Sequence, residues 1–375
     1  MTTLKALFLL AGILMSTLLA WSAEFRLGLY NAKEIRACVF SVTEGEYVLI
    51  GDGKQIGVAQ QGNMFHIALS GANLDVRDTT QFYGVFQSLT FKGVSGDNAF
   101  LIRPVNPTLE AKESDDDLQL TGNDFTIFLV NILSLEKYLA GTVESEGGPG
   151  AGLEFYKAQA ILARTYAVKN FTRHALQGFN LCDDVHCQAY KGKSRHPLIH
   201  EATLATTGLI LATPDSDAVT IAYHGNCGGV TSSASMAWNN DLPYMVSIHD
   251  PFCTGSTQHE WTRSLPSAEW NSYLVKKNLA GTLPTDFILA GHTRQKYTGP
   301  SNAQIALATI RQDLKLKSAF FTLQPVNDQI VIHGYGYGHG VGLCQDGAMQ
   351  MARVGYNYVD ILMFYFRGLT IIKRP

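Results

Sequence analysis

The sequence predicts an α+β protein, with a β-rich N-terminal part followed by a mixed domain of helices and antiparallel strands. Three observations carry this. Between Glu24 and about Val130, short apolar runs alternate or are β-branched, and Gly, Asn and Asp turns separate them. From Leu153 to about Arg173, Ala, Gln, Leu, Lys and Arg dominate with no breaker, as a long helix requires. Beyond Gly208, strand patterns and helical patterns alternate to the end of the chain.

Composition bounds the function. The chain has 375 residues, enough for about two domains, with 46% hydrophobic and 16% charged residues, so a sizeable core can form. The formal net charge is −3, which gives sequence-blind nucleic-acid binding no electrostatic support. Lys5 precedes an apolar run from Ala6 to about Ala20, and small residues follow at Ser22 and Ala23. That order is a secretory signal, so residues 1–23 are expected to be a signal peptide, with an uncleaved anchor as the competing reading. The run is short of the roughly 20 apolar residues that a span needs. Either way the rest of the chain is expected to be exported, and it meets a membrane only if this segment is kept. Six cysteines follow, at 38, 182, 187, 227, 253 and 344. In an exported protein their default reading is disulfides.

Taken in order, the β-rich region (24–128) contains EYVLI (46–50), MFHIAL (64–69), FQSLTF (86–91), AFLIRPV (99–105) and DFTIFLV (124–130). It holds no catalytic cluster, and the acidic run Glu113 to Asp117 reads as a solvated loop. The second domain is taken as 129–375. Ser134 is a suitable N-cap for a short helix that Gly141 is expected to end. Glu144 and Glu146 come next, then glycines at 147, 148, 150 and 152, which predict a mobile loop. In the helix beyond, Lys157 and Arg164 are seven apart and share a face. A cysteine-bearing loop, LCDDVHCQAY, covers 181–190; a helix is expected over 199–207 and strands over 209–213 and 218–225. Residues 265–320 carry further helical patterns without evident chemistry. Near the C-terminus, glycines from Gly334 to Gly342 hold His339 in a tight curve, and a helix from about Asp346 to Arg353 closes at Gly355.

Several constellations can carry chemistry. A glutamate beside a glycine loop is usually just solvated; small and apolar neighbours could instead bury it and raise its pKa toward general-acid duty. Lys157 and Arg164 are ordinary helix charges unless they face such an acid, when they can bind an anionic or hydroxyl-rich ligand. Cys182, His186 and Cys187 lie within one loop and suit zinc, with His174 and Cys227 as possible outside ligands; a disulfide is the alternative. A cysteine nucleophile is disfavoured, because Cys187 beside His186 is not the usual converging pair. The glycines around His339 form no phosphate loop, for no GK[ST] ending is present. They mark close backbone approach, to a ligand or to a neighbouring strand.

The chain resembles the SpoIID/LytB family, named for a stage II sporulation protein D and an amidase enhancer. The motifs run in order from about 129 to 373: VNILSLEKYLAGTVESE, KAQAILARTYAV, CDDVHCQAYKG, AYHGNCGGVTSS, WNNDLPYMVSIHDPFC and GYGHGVGLCQDGAMQMARVGYNYVDIL. The resemblance implies a SpoIID-like catalytic domain with lytic transglycosylase activity on peptidoglycan strands stripped of peptides. Its V-x-S-E motif reads Val143-Glu144-Ser145-Glu146 here, which makes Glu146 the catalytic acid. The family's usual Met after this Glu is replaced by Gly147. The resemblance also implies one structural zinc on Cys182, His186 and Cys187; the fourth ligand stays open, with His174 the candidate, and Cys227 and Cys253 are candidates for a disulfide. Lys157, Arg164 and His339 are then candidates for holding the glycan, and Tyr223 for lining its cleft. The expected partners are glycan strands and a wall amidase, with no nucleic acid. The rival reading is a non-catalytic glycan-binding enhancer of an N-acetylmuramoyl-L-alanine amidase. A zinc hydrolase is weaker, since no Glu base sits beside the Cys/His loop.

Overall fold

The computed structural model describes residues 24–94, 96–238, 240–279 and 293–374. The segment read as a signal, 1–23, lies outside them. No helix among the described residues is long and apolar enough to cross a membrane. The fold is mixed α+β with several sheets, as the sequence predicts. It forms two compact units: Tyr166–Ile210 and Lys373 onward join the residues up to Pro149, while Gly150–Thr165 and Leu211–Ile372 form the second.

In the first unit two sheets carry the β-rich sequence. A seven-stranded sheet runs, in order, Leu181–Cys182, Phe25–Leu29, Ile127–Leu133, Asp117–Gly122, Ser88–Gly93, Glu46–Gly51 and Lys54–Gln60. A six-stranded sheet runs Lys112–Asp115, Ala99–Asn106, Ala37–Glu44, Met64–Ser70, Asn73–Arg77 and Phe82–Phe86. The alternation in the sequence is the cause. Along Glu46–Gly51 every second residue is buried, so one face of the strand joins the core and the other does not. The two inner faces meet through aromatic rings: Phe40 of one sheet stacks on Phe91 of the other with centroids 3.7 Å apart. Tyr47 and Phe100 pack around that pair.

Helix α1 (Leu135–Gly147) and α3 (Pro197–Ala205) pack together beside these sheets, and α2 (Leu153–Lys169) contributes only its last residues here. Ser134 caps α1 by accepting the Lys137 N–H. The expected stop at Gly141 does not occur. Gly141 is buried inside α1, where a Cβ would overlap the Gly192 carbonyl oxygen and the Tyr190 ring. Glycine serves here for close approach rather than for helix ending. The helix stops instead at Gly148, whose φ of 65° lies in the left-handed region.

The acidic run Glu113–Asp117 also departs from expectation. Lys112–Asp115 is a strand, Asp115 is buried, and Lys193 pairs with Asp115 at 3.0 Å while Arg195 pairs with Glu113 at 2.7 Å. Basic residues more than seventy positions along the chain supply what a local reading could not see.

The second unit begins with the body of α2. It continues through α4 (Ala234–Trp238), α5 (Ser267–Lys276), α6 (Leu307–Asp313), α7 (Gln345–Arg353) and α8 (Tyr358–Tyr365). An antiparallel sheet of Glu260–Pro266, Gln329–Tyr335 and Phe321–Val326 receives α5 and α6 through Trp261, Trp270, Ile310 and Ile332. Of the strand expected over 218–225, Tyr223–His224 forms a strand parallel to Leu343–Cys344, and Ala218 makes an isolated antiparallel bridge to Ala212. Asn357 closes a capping box at the start of α8.

Candidate functional site

Because α1 runs on to Gly147, Glu144, Ser145 and Glu146 occupy its last turn, and all three side chains grip one loop. Glu146 Oε1 accepts the Ala189 N–H at 2.8 Å, Ser145 Oγ accepts the Lys191 N–H at 2.9 Å, and Glu144 Oε2 accepts the Arg195 N–H at 3.2 Å. Ser145 in turn donates to the Gly141 carbonyl at 2.7 Å. The loop is held from the other side as well. Tyr138 OH donates to Gln188 Oε1, and the buried Tyr190 OH meets Ser114 Oγ. Asp183 accepts both the Tyr30 N–H and the Lys112 ammonium.

Burial raises the Glu146 carboxyl above its ordinary value, while the Ala189 N–H and the Lys191 charge pull less strongly the other way. A carboxyl that keeps its proton more readily than a solvated one is suited to donate it.

The same loop brings His174, Cys182, His186 and Cys187 together, their ligating atoms all within 4.8 Å of one another. Cys187 Sγ lies 3.4 Å from His174 Nε2, and Cys182 Sγ and Cys187 Sγ each lie 3.7 Å from His186 Nδ1. His174 Nδ1 meets Gln177 Oε1 at 2.6 Å, which leaves Nε2 to face the sulfurs. Two thiols and two imidazoles at this spread match a tetrahedral Cys2His2 zinc set.

The remaining candidates belong to the second unit. Lys157 pairs with Glu154 at 2.7 Å, and Glu154 also accepts the Tyr358 N–H at the start of α8. Arg164 is 2% exposed, an unusually deep position for a guanidinium. His339 accepts the Val341 N–H through Nδ1 at 3.0 Å. Burial, with Arg311 nearby, pushes it down to about 4 against the pull of the Tyr223 carbonyl, so at neutral pH it is an uncharged imidazole. It lies against Trp238, ring centroids 5.1 Å apart, in the wall of a cleft of about 660 Å³ that Arg294, Tyr297 and Arg311 also line. Four glycines with φ between 71° and 104°, at 336, 338, 340 and 342, set this curve.

Other site residues escape sequence reasoning. His224 is buried beside His339 with its Nδ1 on the Val341 carbonyl, and nothing local marks it. Asp250 and Cys344 join Cys227 and Cys253 in a second buried cluster. All six cysteines are unbonded thiols in the structure, Cys227 and Cys253 among them with their sulfurs 3.4 Å apart.

A family model described as stage II sporulation protein, SpoIID, matches residues 123–212, which cover α1, α2, the Cys/His loop and α3. An uncharacterized protein of Brachyspira hyodysenteriae is 30% identical over 272 residues, 71% of this chain and 74% of that one. Stage II sporulation protein D of Bacillus subtilis is 30% identical over 262 residues, 64% of this chain and 75% of its own length. The amidase enhancer of Bacillus subtilis is 26% identical over 291 residues, 62% of this chain and 40% of the enhancer. With the family match including the turn that carries Glu146, and with stage II sporulation protein D aligned over 75% of its own length, this chain belongs to the SpoIID/LytB family of stage II sporulation protein D and the amidase enhancer.

Proposed function

We propose that the protein remodels the cell wall as an exported lytic transglycosylase of the cell envelope, acting on peptidoglycan glycan strands with Glu146 as acid and base. The observation that carries this is the half-buried Glu146 in the last turn of α1, its carboxyl raised by burial and oriented by the Ala189 N–H. Protonated Glu146 donates to the oxygen between N-acetylmuramic acid and N-acetylglucosamine. The bond from that oxygen to the muramic C1 breaks, and positive charge develops at C1. The muramic 6-hydroxyl then bonds to C1 and gives its proton to the Glu146 carboxylate. A 1,6-anhydro end forms, no water is consumed, and the acid is restored. One carboxyl group serves both steps, unlike the paired carboxylates of most glycosidases.

Lys157, Arg164, Tyr223 and His339 are proposed to hold the glycan; a neutral His339 offers hydrogen bonds without competing for anions. A zinc ion on His174, Cys182, His186 and Cys187 would have a structural duty, since four protein ligands leave no open position for chemistry. It would brace the backbone that presents Ala189. The test is to incubate wild type and Glu146→Gln with amidase-stripped and intact strands and identify products by mass spectrometry. Glycan products ending in 1,6-anhydro-N-acetylmuramic acid from wild type and none from the variant are expected; equal yields would remove Glu146 from the role.

The similarity to an amidase enhancer supports a second reading, in which the chain binds glycan and stimulates a separate amidase. It requires binding to sacculi and stimulation of amidase without any anhydro product.

A further inference from the structure

Three segments far apart in sequence meet in the second unit: the Cys227-Gly-Gly turn, the Asp250-Pro-Phe-Cys253 loop, and Cys344 at the entry to α7. Cys227, Cys344 and Asp250 are fully buried and Cys253 is 1% exposed. Cys227 Sγ lies 3.4 Å from Cys253 Sγ and 3.2 Å from Asp250 Oδ2, and the four ligating atoms all fall within 4.8 Å of one another. Tetrahedral zinc with Zn–S bonds of about 2.3 Å spaces its sulfurs by roughly 3.8 Å, so the cluster matches that geometry with small adjustments.

The surroundings favour anionic sulfur. The Cys227 N–H donates to Cys344 Sγ and the Gly229 N–H donates to Cys253 Sγ, each at 3.2 Å. A neutral thiol is a weak acceptor for such a donor, whereas a thiolate is a good one. Gly228 and Gly229 have φ of 67° and 89°, and this left-handed pair turns the backbone amides inward. The Arg294 side chain donates to the Cys227 and Val230 carbonyls at 2.7 and 2.6 Å, fixing a guanidinium over the same turn. Asp250 Oδ2 also accepts the Tyr365 hydroxyl at 2.9 Å, the kind of outer contact that orients a ligating carboxylate. A disulfide would join two sulfurs and leave a third thiol and a carboxylate buried together. Buried charge of that density is stable when it is paired or bound to metal.

We propose that Cys227, Cys253, Cys344 and Asp250 hold a second zinc ion, structural in kind, separate from the Cys/His loop. It ties the Cys-Gly-Gly turn to the 250–253 loop and to the strand Leu343–Cys344, which pairs with Tyr223–His224. The curve that carries His339 is thereby fixed at its C-terminal end.

The experiment measures zinc by mass spectrometry on the full chain after passage over chelating resin. Cys182→Ser/Cys187→Ser, which disables only the other cluster, should retain about one zinc per chain. In cobalt-loaded form it should show the charge-transfer absorption of several thiolates on one ion. Adding Cys344→Ser to that variant should lower the zinc to near zero; if the triple variant does not fold, the cobalt spectrum of the double variant carries the test. A double variant without metal, or a Cys227–Cys253 disulfide peptide under non-reducing digestion, overturns the proposal. Because the double variant lacks the Cys/His loop thiols, the result does not depend on zinc there or on the activity of Glu146.

Discussion

Glu146 Oε1 accepts its hydrogen bond from Ala189, two residues beyond Cys187 in the Cys/His cluster. The candidate acid is thus hydrogen-bonded to the loop that carries Cys182, His186 and Cys187. Stripping the zinc proposed for that loop is expected to slow the proposed anhydro-product formation by about 100-fold, the scale of a misplacement of roughly 1 Å. Zinc added back should restore the rate. The check is the rate before chelation, after it, and after zinc, together with hydrogen exchange at the Ala189 amide. An unchanged rate in protein shown to be metal-free would separate the loop from the chemistry.

The raised carboxyl of Glu146 makes two signed predictions about pH. The proposed mechanism needs the proton, so activity should be full at acid pH and fall as pH rises through a midpoint above the ordinary glutamate value. Stability follows the same direction. A group whose folded pKa exceeds its unfolded one stabilises below the unfolded value, and that contribution is lost as pH rises through the folded value. Glu146→Gln keeps an oxygen for the Ala189 N–H and removes the buried charge. The variant should therefore melt no lower than wild type at neutral pH, and higher by a margin that vanishes at acid pH. A melting temperature below wild type at neutral pH contradicts this account.

What was legible in the sequence divides by range. The helix α2 follows from its run of helix-forming residues without a breaker, and the strands from their period of 2, both local signals. The candidate acid, Glu146, is singled out by the resemblance of Val143–Glu146 to the family's V-x-S-E motif. Two misreadings share one cause. Gly141 reads as a helix stop and Glu113–Asp117 as a solvated loop, because their partners, Tyr190 with Gly192 and Lys193 with Arg195, lie more than forty residues away. The pairing of Cys227 with Cys253 alone misses Asp250 and Cys344 for the same reason. Nothing within several residues of Cys344 announces a thiol partner.

Gly141 itself gives a test in which two effects oppose. In an exposed helix, Gly→Ala gains up to about 1 kcal/mol of helix propensity. Here the added methyl meets the Gly192 carbonyl and the Tyr190 ring, and the Glu113 carbonyl holds that segment by the Lys193 N–H at 2.7 Å. Overpacking against backbone that cannot retreat costs about 1–3 kcal/mol. Gly141→Ala should thus be net destabilising, by up to about 2 kcal/mol, measured by denaturant titration. A stabilised variant would show that the loop yields easily.

The last prediction concerns the anchor on the other side of the loop. Asp183 has a side chain only 4% exposed, and it accepts the Lys112 ammonium at 2.5 Å and the Tyr30 N–H at 2.9 Å. Lys112→Met strands that carboxylate with one amide for company, and breaking a buried pair in this way costs about 3–5 kcal/mol. Lys112→Met/Asp183→Asn removes the charge with its partner and keeps an acceptor for Tyr30. Its loss should therefore be smaller than that of Lys112→Met alone, a sign that only a coupled pair gives. Since Asp183 adjoins Cys182, the single variant should also bind zinc more weakly in the loop, and the double variant should recover part of that affinity. If the double variant is as unstable as the sum of the singles, the pair does not act as a unit, and the loop is held by Tyr190 and the α1 side chains instead.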